Sequence, residues 1–183
     1  MKTDSPETRA VFIDRDGTIA RDVHFCRRPE DFEILPTVHQ AIRMFNRARF
    51  KTVVITNQSG VARGYFTDEA LRRINRHMEA ELARCGARLD AVYYCPHHPD
   101  DGCQCRKPKP GLIFKAAADL DIRLTNSFMV GDGARDVEAG KAAGCRTVLV
   151  TTGPEGTEKI ATPPDYIAAS LVEAALWITG ELS

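Results

Sequence analysis

Two aspartates one residue apart follow a short apolar run near the start of the chain. The stretch IDRDGT places Asp14 and Asp16 directly after AVFI and before Gly17 and Thr18. A carboxylate can act as a nucleophile, as a proton donor or acceptor, or as a ligand of a hard cation. An isolated Asp-x-Asp pair is often only a solvated turn. Its meaning therefore depends on the other side chains that the fold brings to it.

Polar residues follow three further apolar runs. Thr56 and Asn57 follow KTVVI, Lys107 lies beyond AVYYC, and Asp132 and Asp136 follow SFMVG. If these runs are neighbouring parallel strands, their carboxyl ends deliver these side chains to one edge of a sheet. Carboxylates gathered there would repel one another unless a cation lay among them, and an oxygen-only ligand set suits Mg²⁺. Magnesium in turn suits a phosphate substrate.

A second group of potential metal ligands lies in CPHHPDDGCQC. Cys95, His97, Cys103 and Cys105 form the pattern C-x-H-x5-C-x-C, a complete tetrahedral set for structural Zn²⁺. The spacing leaves open whether His97 or His98 supplies the imidazole, and a chance set of loop cysteines is the alternative. Disulfides are disfavoured, because Cys103 and Cys105 are close in sequence and the chain is expected in a reducing compartment.

Composition narrows the class of protein. A chain of 183 residues with 43% hydrophobic content can build one core, so we predict a single domain over residues 1–183, with the zinc loop 95–105 inserted near the active site. The 25 basic residues balance the 25 acidic ones, which predicts no nucleic-acid or membrane partner. The sequence contains neither a membrane-spanning apolar run nor a signal-peptide core, and a cytoplasmic location is expected.

Strand-like and helix-like patterns alternate along the chain. Apolar, β-branched runs predict strands at 10–14, 51–56, 91–95, 127–132 and 146–150. Amphipathic runs predict helices at 38–50, from the N-cap Thr67 to near Gly86, at 110–120, at 134–144 and at 171–179. Apolar strands separated by helices indicate an α/β fold, a doubly wound parallel sheet covered on both faces.

Four motifs together resemble the haloacid dehalogenase superfamily of phosphohydrolases. They are DRDGT, ITNQSG, the lysine of CRKPKPG, and GDGARD, and the resemblance extends from about residue 10 to about residue 153. It implies a Rossmann-like core. Because no long insertion follows Asp16 or interrupts the region between Thr56 and Cys95, we expect a minimal cap, an open site and a monomer. A zinc-binding module without catalysis is the alternative from another class, but it would have no reason to retain all four motifs.

The resemblance implies a role for each motif residue. Asp14 is the implied nucleophile that forms an aspartyl-phosphate, and Asp16 the implied general acid and then general base. Implied Mg²⁺ ligands are Asp14, Asp132 and the backbone carbonyl of Asp16. The ammonium of Lys107 is expected to neutralise the phosphoryl group. The remaining implied residues are Thr56 and Asn57 as hydrogen-bond donors to the phosphoryl oxygens, and Asp136 as a ligand of Mg²⁺ through water or as a partner of Lys107.

Within the superfamily, the stretches NQSGVARGYF, YYCPHHP and CRKPKPGL resemble a family of heptose bisphosphate phosphatases, which implies a sugar phosphate as substrate and His97 as the zinc ligand. Histidinol-phosphate phosphatases are the alternative, because they share the short zinc loop. Gly133 departs from the heptose pattern, which has a larger and often basic residue there. Arg106 and Arg63 are candidates for binding the rest of the substrate. A nucleic-acid end phosphatase is disfavoured by zero net charge and 7% aromatic residues.

Overall fold

Six parallel strands form one sheet in the computed structural model, which describes residues 8–154 and 161–180. They are β1 (Ala10–Ile13), β2 (Lys51–Asn57), β3 (Ala91–Cys95), β4 (Phe128–Gly131), β5 (Arg146–Val150) and β6 (Tyr166–Ala168). Their order across the sheet is β3-β2-β1-β4-β5-β6. Because the strand order reverses between β1 and β4, a crevice is expected beyond the carboxyl ends of these two strands.

Helices cover both faces of the sheet, and the predicted doubly wound architecture is confirmed. The α-helices are α1 (Val38–Arg47), α2 (Asp68–Arg84), α3 (Gly111–Leu120), α4 (Ala134–Ala142) and α5 (Leu171–Thr179). Helices α1, α2 and α5 share one apolar cluster with the sheet, and α3 and α4 share the other. Short 3-10 helices lie at Pro29–Asp31, Pro99–Asp101 and Leu124–Asn126.

Strand β1 lies at the centre of the sheet because all four of its side chains are apolar. Val11 and Ile13 belong to the cluster under α1, α2 and α5, whereas Ala10 and Phe12 belong to the opposite cluster. Each of the four is 0% exposed. Polar groups can therefore appear only where the strand ends, and Asp14 is the first residue beyond it.

Helix α2 begins where the sequence predicts. The Thr67 side chain accepts a hydrogen bond from the backbone N–H of Ala70 (3.1 Å), as an N-cap residue does. The expected apolar face, formed by Leu71, Ile74, Met78 and Leu82, is buried. With 17 residues α2 is the longest of the described helices, and none of these helices is long and apolar enough to cross a bilayer.

Two elements differ from the sequence prediction. Helix α1 ends at Arg47 rather than near residue 50, because Arg49 adopts a left-handed conformation (φ +62°) that turns the chain into β2. Strand β6 was not predicted, since its three residues at the sheet edge carry little pattern of their own. Asp165 attaches its start to β5 by accepting a hydrogen bond from the Thr147 backbone N–H (2.6 Å).

Candidate active site and metal sites

A cavity of about 270 Å³ lies beyond the carboxyl ends of β1, β2 and β4. Each of the four motifs contributes to its wall. The lining residues are mostly charged or polar and comprise Asp14, Arg15, Asp16, Asp22, His24, Phe25, Cys26, Thr56, Asn57, Gln58, Arg106, Lys107, Asp132, Arg135 and Asp136. The structure thus brings together the polar residues that the sequence places after separate strands.

Asp14 is held at the sheet edge by its backbone. Its N–H donates to the carbonyl of Val130 (2.9 Å), which extends the pairing of β1 with β4 by one residue. Burial is the largest influence on its carboxyl group and, with Asp136 and Asp132 nearby, raises its pKa to about 8 against the opposing effect of Lys107. A carboxylate in such surroundings is stabilised by an added cation.

Lys107 joins the carboxylates across the site. Its Nζ lies 2.7 Å from Asp14 Oδ1 and 2.6 Å from Asp136 Oδ1, and it also donates to the carbonyl of Ile55 (2.8 Å). All three ammonium donors therefore have acceptors. Burial by itself lowers the pKa of Lys107, but Asp136 and Asp14 outweigh burial and raise it above its ordinary value. The side chain is a fixed positive charge.

Asp132 and Asp136 come from the end of β4 and the first turn of α4. The buried Asp132 carboxylate lies against two glycines, since a Cβ atom on Gly17 or Gly153 would overlap it. Gly17 also has a positive φ of 81°, which favours glycine. Asp136 Oδ2 accepts a hydrogen bond from the Gly133 N–H (3.1 Å), so the residue fixes the start of α4 while its other oxygen contacts Lys107.

Three carboxylates could hold a divalent cation together. Asp14, Asp132 and Asp136 each offer an oxygen, and these oxygens lie within 4.8 Å of one another. Oxygen ligands of octahedral Mg²⁺ lie about 3 to 4 Å apart, because each Mg–O distance is about 2.1 Å. The donor chemistry and spacing therefore fit Mg²⁺. The role of the Asp16 carbonyl as a further ligand stays a prediction.

The Asp16 side chain is held by neighbours that the sequence analysis did not identify. Arg15 donates to both of its oxygens, with Nε at 3.2 Å from Oδ1 and Nη2 at 3.0 Å from Oδ2. Gln58 Nε2 donates to Oδ2 (2.8 Å) and also to the hydroxyl oxygen of Thr56 (2.9 Å). The only signal for Arg15 was its place between two aspartates, and nothing local indicated its partners.

Asn57 fixes the backbone of the distant Lys107. Its Nδ2 donates to the Lys107 carbonyl (3.1 Å), and its Oδ1 accepts from the Lys107 N–H (3.0 Å). The two residues are 50 positions apart in sequence. Thr56 and Asn57 both line the cavity, and their predicted hydrogen bonds to a phosphoryl group stay predictions.

The four predicted zinc ligands form one cluster. The Sγ atoms of Cys95 and Cys103 are 3.6 Å apart, Cys105 Sγ is 3.3 Å from Cys95 Sγ, and His97 Nδ1 is 3.2 Å from Cys105 Sγ. A tetrahedral Zn²⁺ with Zn–S distances of about 2.3 Å separates its sulfur ligands by about 3.8 Å. All six cysteines are free, so the cluster contains no disulfide. The spacing fits a zinc ion.

His98 makes a different contact from that of His97. Its Nδ1 accepts a hydrogen bond from the Asp100 N–H (3.3 Å), which caps the short helix Pro99–Asp101. Only His97 of the two belongs to the ligand cluster. Burial is the main influence on the Cys95 thiol and raises its pKa to about 12, so the thiolate form requires a nearby positive charge such as zinc.

Arginines form the cationic side of the cavity. Arg106 and Arg135 both line it, and the buried Nη1 of Arg106 has no hydrogen-bond partner in the described structure. Burial, with Arg135 and Arg63 nearby, lowers the pKa of Arg106. Arg63 is exposed and is not among the lining residues, so its predicted substrate contact stays a prediction. Arg135 was missed, although a basic residue between Asp132 and Asp136 was a usable signal.

The fold and the four motif positions define a haloacid dehalogenase-like hydrolase. A family model described as HAD-hydrolase-like matches residues 104–174. A crystal structure of D,D-heptose 1,7-bisphosphate phosphatase from B. bronchiseptica, complexed with magnesium and phosphate, is similar with a TM-score of 0.84. It is 36% identical, and the match covers 95% of this chain and 99% of that one. The similarity therefore extends over the whole fold.

Curated relatives give a narrower assignment. The D-glycero-beta-D-manno-heptose-1,7-bisphosphate 7-phosphatase of Pasteurella multocida is 37% identical over 179 residues, covering 94% of this chain and 97% of the relative. The D-glycero-D-manno-heptose-1,7-bisphosphate 7-phosphatase of Thermosynechococcus vestitus is 39% identical over 190 residues, covering 95% and 97%. This chain belongs to the same family of haloacid dehalogenase-like phosphatases.

Proposed function

We propose that the chain is a Mg²⁺-dependent phosphatase that acts through an aspartyl-phosphate and removes the 7-phosphate of D-glycero-D-manno-heptose 1,7-bisphosphate. The observation that carries the reaction type is the position of Lys107 Nζ, 2.7 Å from Asp14 and 2.6 Å from Asp136 at the carboxyl end of β1. A fixed ammonium beside a buried carboxylate neutralises a phosphoryl group as the carboxylate attacks it. The names of the relatives support the substrate.

Asp14 is the proposed nucleophile, and Asp16 the proposed proton donor and acceptor. Attack by an Asp14 oxygen on phosphorus breaks the bond to the sugar oxygen, which takes a proton from Asp16. A water molecule then gives a proton to Asp16 while its oxygen attacks the aspartyl-phosphate. This releases phosphate, restores the Asp14 carboxylate and leaves Asp16 protonated for the next turnover. Thr56 and Asn57 both line the cavity and are the proposed hydrogen-bond donors to the phosphoryl oxygens.

Two metals are proposed. Asp14 and Asp132, with the Asp16 carbonyl, would hold Mg²⁺, which supplies charge neutralisation when bound. Asp136 is proposed mainly as the partner of Lys107, in view of their 2.6 Å contact. Cys95, His97, Cys103 and Cys105 would hold a structural Zn²⁺ that shapes the loop before Arg106. Four protein ligands leave that ion no open position for substrate.

Arg106 and Arg63 are proposed to bind the part of the substrate beyond the reacting phosphate. The unpartnered Nη1 of Arg106 supports this role, because a buried guanidinium N–H is costly without an acceptor. A sugar bisphosphate would supply such an acceptor in its second phosphate. Replacing Arg106 with Ala should therefore raise KM for the bisphosphate more than KM for a monophosphate, and equal increases would contradict the role.

The substrate can be tested by Mg²⁺-dependent phosphate release from both anomers of heptose 1,7-bisphosphate beside histidinol phosphate. Asp14→Asn serves as the inactive blank and Asp119→Asn, on the exposed side of α3, as the matched control. We expect kcat/KM to favour the bisphosphate by about a hundredfold or more, which is nearly 3 kcal/mol of transition-state binding. A preference for histidinol phosphate would instead support the alternative indicated by the short zinc loop.

The setting of the enzyme is also a proposal. We propose one catalytic domain, in the cytoplasm, where a reducing environment keeps the zinc thiols free. The pathway that the heptose product would enter is the synthesis of nucleotide-activated heptose for lipopolysaccharide. A monomeric state is proposed from the open site, and light scattering of the purified protein would test it.

A further inference from the structure

Arg15 carries a guanidinium group, yet the residue is only 1% exposed. Besides Asp16, its guanidinium contacts Asn75 of helix α2, with Nη1 at 3.2 Å from Asn75 Oδ1, and lies 5.7 Å from the centre of the Phe32 ring. Arg15 cannot turn away from Asp16 without breaking these contacts. The guanidinium is therefore a rigid support rather than a flexible surface charge.

Asn75 is a buried polar residue that holds the Arg15 guanidinium in place. It lies on the apolar face of α2, beside Ile74 and Met78, and is 6% exposed. Burying a polar side chain on such a face lowers stability unless the side chain is hydrogen-bonded. Asn75 Oδ1 accepts such a hydrogen bond from Arg15. Asn75 and Arg15 are 60 positions apart in sequence, so the contact exists only in the folded protein.

The contacts on Asp16 leave one face of its carboxylate open. Arg15 and Gln58 together donate to both oxygens, yet the Asp16 side chain remains 26% exposed and lines the cavity. The same Gln58 amide also contacts the Thr56 hydroxyl, so the support of Asp16 is continuous with the cavity wall that contains Thr56. The open face of Asp16 is thus directed to the cavity, where a substrate oxygen or water can reach it.

We propose that Arg15 is a positioning residue for proton transfer. It holds the Asp16 carboxylate where that group can give a proton to the departing alcohol oxygen and later take one from the attacking water. Arg15 itself exchanges no proton and touches no substrate. The inference rests on the proposed role of Asp16 and is independent of which phosphate ester is the substrate.

The chemistry of the leaving group separates positioning from general structural support. An alkyl phosphate leaves as an alkoxide, a strong base that needs a proton as the P–O bond breaks. A nitrophenolate is a weak base and leaves without one. Because kcat/KM reports the steps up to the first release of product, a fault in proton donation lowers kcat/KM for the alkyl ester and spares the aryl ester. A loosened fold lowers both.

The test compares Arg15→Lys with the wild type on two esters, p-nitrophenyl phosphate and a primary alkyl phosphate. Heptose 1,7-bisphosphate and histidinol phosphate are both assayed as the alkyl ester, so that the better one is used. Lysine keeps the charge but cannot contact both Asp16 oxygens as the fork of Arg15 does. Arg88→Lys, at an exposed arginine that pairs with the Asp90 carboxylate, is the matched control, and Asp16→Asn defines the complete loss of proton transfer.

We expect Arg15→Lys to lower kcat/KM for the alkyl ester by about 30-fold and for p-nitrophenyl phosphate by less than about threefold. Asn75→Ala, which leaves the Arg15–Asp16 contact in place, should show the same selectivity with a smaller loss, about fivefold. Thermal unfolding confirms that each variant is folded, and if Arg15→Lys does not fold, Asn75→Ala decides. Equal losses on both esters, or no loss, would overturn the positioning role.

The outcomes also separate this inference from the proposed function. If the wild type releases phosphate from neither ester, the proposed phosphatase function fails. If Asp16→Asn shows no preference for the aryl ester, the proposed role of Asp16 fails. If Asp16→Asn is selective and Arg15→Lys is not, only the role of Arg15 is refuted.

Discussion

The two candidate metal-binding clusters of this protein are assembled in opposite ways. The thiol and imidazole ligands all come from residues 95–105, a single loop after β3. The clustered carboxylates belong to Asp14, Asp132 and Asp136, which lie beyond the ends of β1 and β4 and in the first turn of α4. One cluster is a property of a short segment, and the other is a property of the whole sheet.

This difference has consequences for stability. Two of the three carboxylates, Asp132 and Asp136, are buried, and the site contains a fixed ammonium, so the packed sheet holds its charges in place before any ion binds. In the zinc loop, only Cys95 is buried, and short-range spacing holds the other three ligands near it. We infer that the zinc loop depends on its ion for order, whereas the carboxylate site depends on the core. The zinc loop and the carboxylate site are adjacent at Lys107, which follows Cys105 by two residues and contacts Asp14 and Asp136.

The largest effect is expected from Lys107→Met. The Asp14 and Asp136 carboxylates, 2.7 and 2.6 Å from the ammonium, would lose the charge that pairs them. We expect kcat/KM for phosphate release to fall by about 100- to 1000-fold and the free energy of unfolding without Mg²⁺ to fall by about 3 kcal/mol. Kinetic assays and urea unfolding measure these changes.

Lys115→Met is the control for Lys107→Met, because Lys115 pairs with Asp119 on the surface of α3. It should change neither quantity appreciably. If Lys107→Met kept phosphate release within about tenfold of the wild type, the dependence of the carboxylate site on its buried ammonium would be contradicted.

A smaller effect is expected in the zinc loop, where two adjacent histidines provide a matched pair. His97→Ala should lose bound zinc, lower Tm by about 5 °C and reduce phosphate release by about tenfold, because the loop before Arg106 loses its order. His98→Ala should keep the zinc, since His98 only caps a short helix. Metal analysis and thermal unfolding check both. Retention of zinc by His97→Ala and its loss by His98→Ala would reverse the ligand assignment.

The smallest effect is expected far from both clusters. Thr67→Ala removes the side chain that accepts from the Ala70 N–H at the start of α2 and should lower the free energy of unfolding by about 1 kcal/mol. Phosphate release should not change, because the cap contacts neither cluster. Urea unfolding with a parallel kinetic assay measures this. A loss of activity at unchanged stability would show that the start of α2 affects the site directly.

Local pattern was sufficient to predict most of the fold. The apolar, β-branched segments became the strands β1, β2, β4 and β5, which are buried except at the ends of β2 and the start of β5, and β3 and β5 have the predicted bounds. The amphipathic face of α2 and its N-cap were also correct. Strand β6 was not predictable, because it depends on pairing with β5. The early end of α1 was not predictable either, because it depends on a single left-handed residue at position 49.

The sequence by itself determined which residue types reach the sheet edge, because a parallel strand places whatever follows it at its carboxyl end. It also placed the candidate ligands of the zinc loop close together, because they are neighbours along the chain, but their spacing left the choice between His97 and His98 open. Only the tertiary structure decided that Lys107 lies between Asp14 and Asp136, that Asn57 fixes its backbone, and that Asn75 supports Arg15. These contacts join residues far apart in sequence, so their geometry depends on how the helices pack on the sheet.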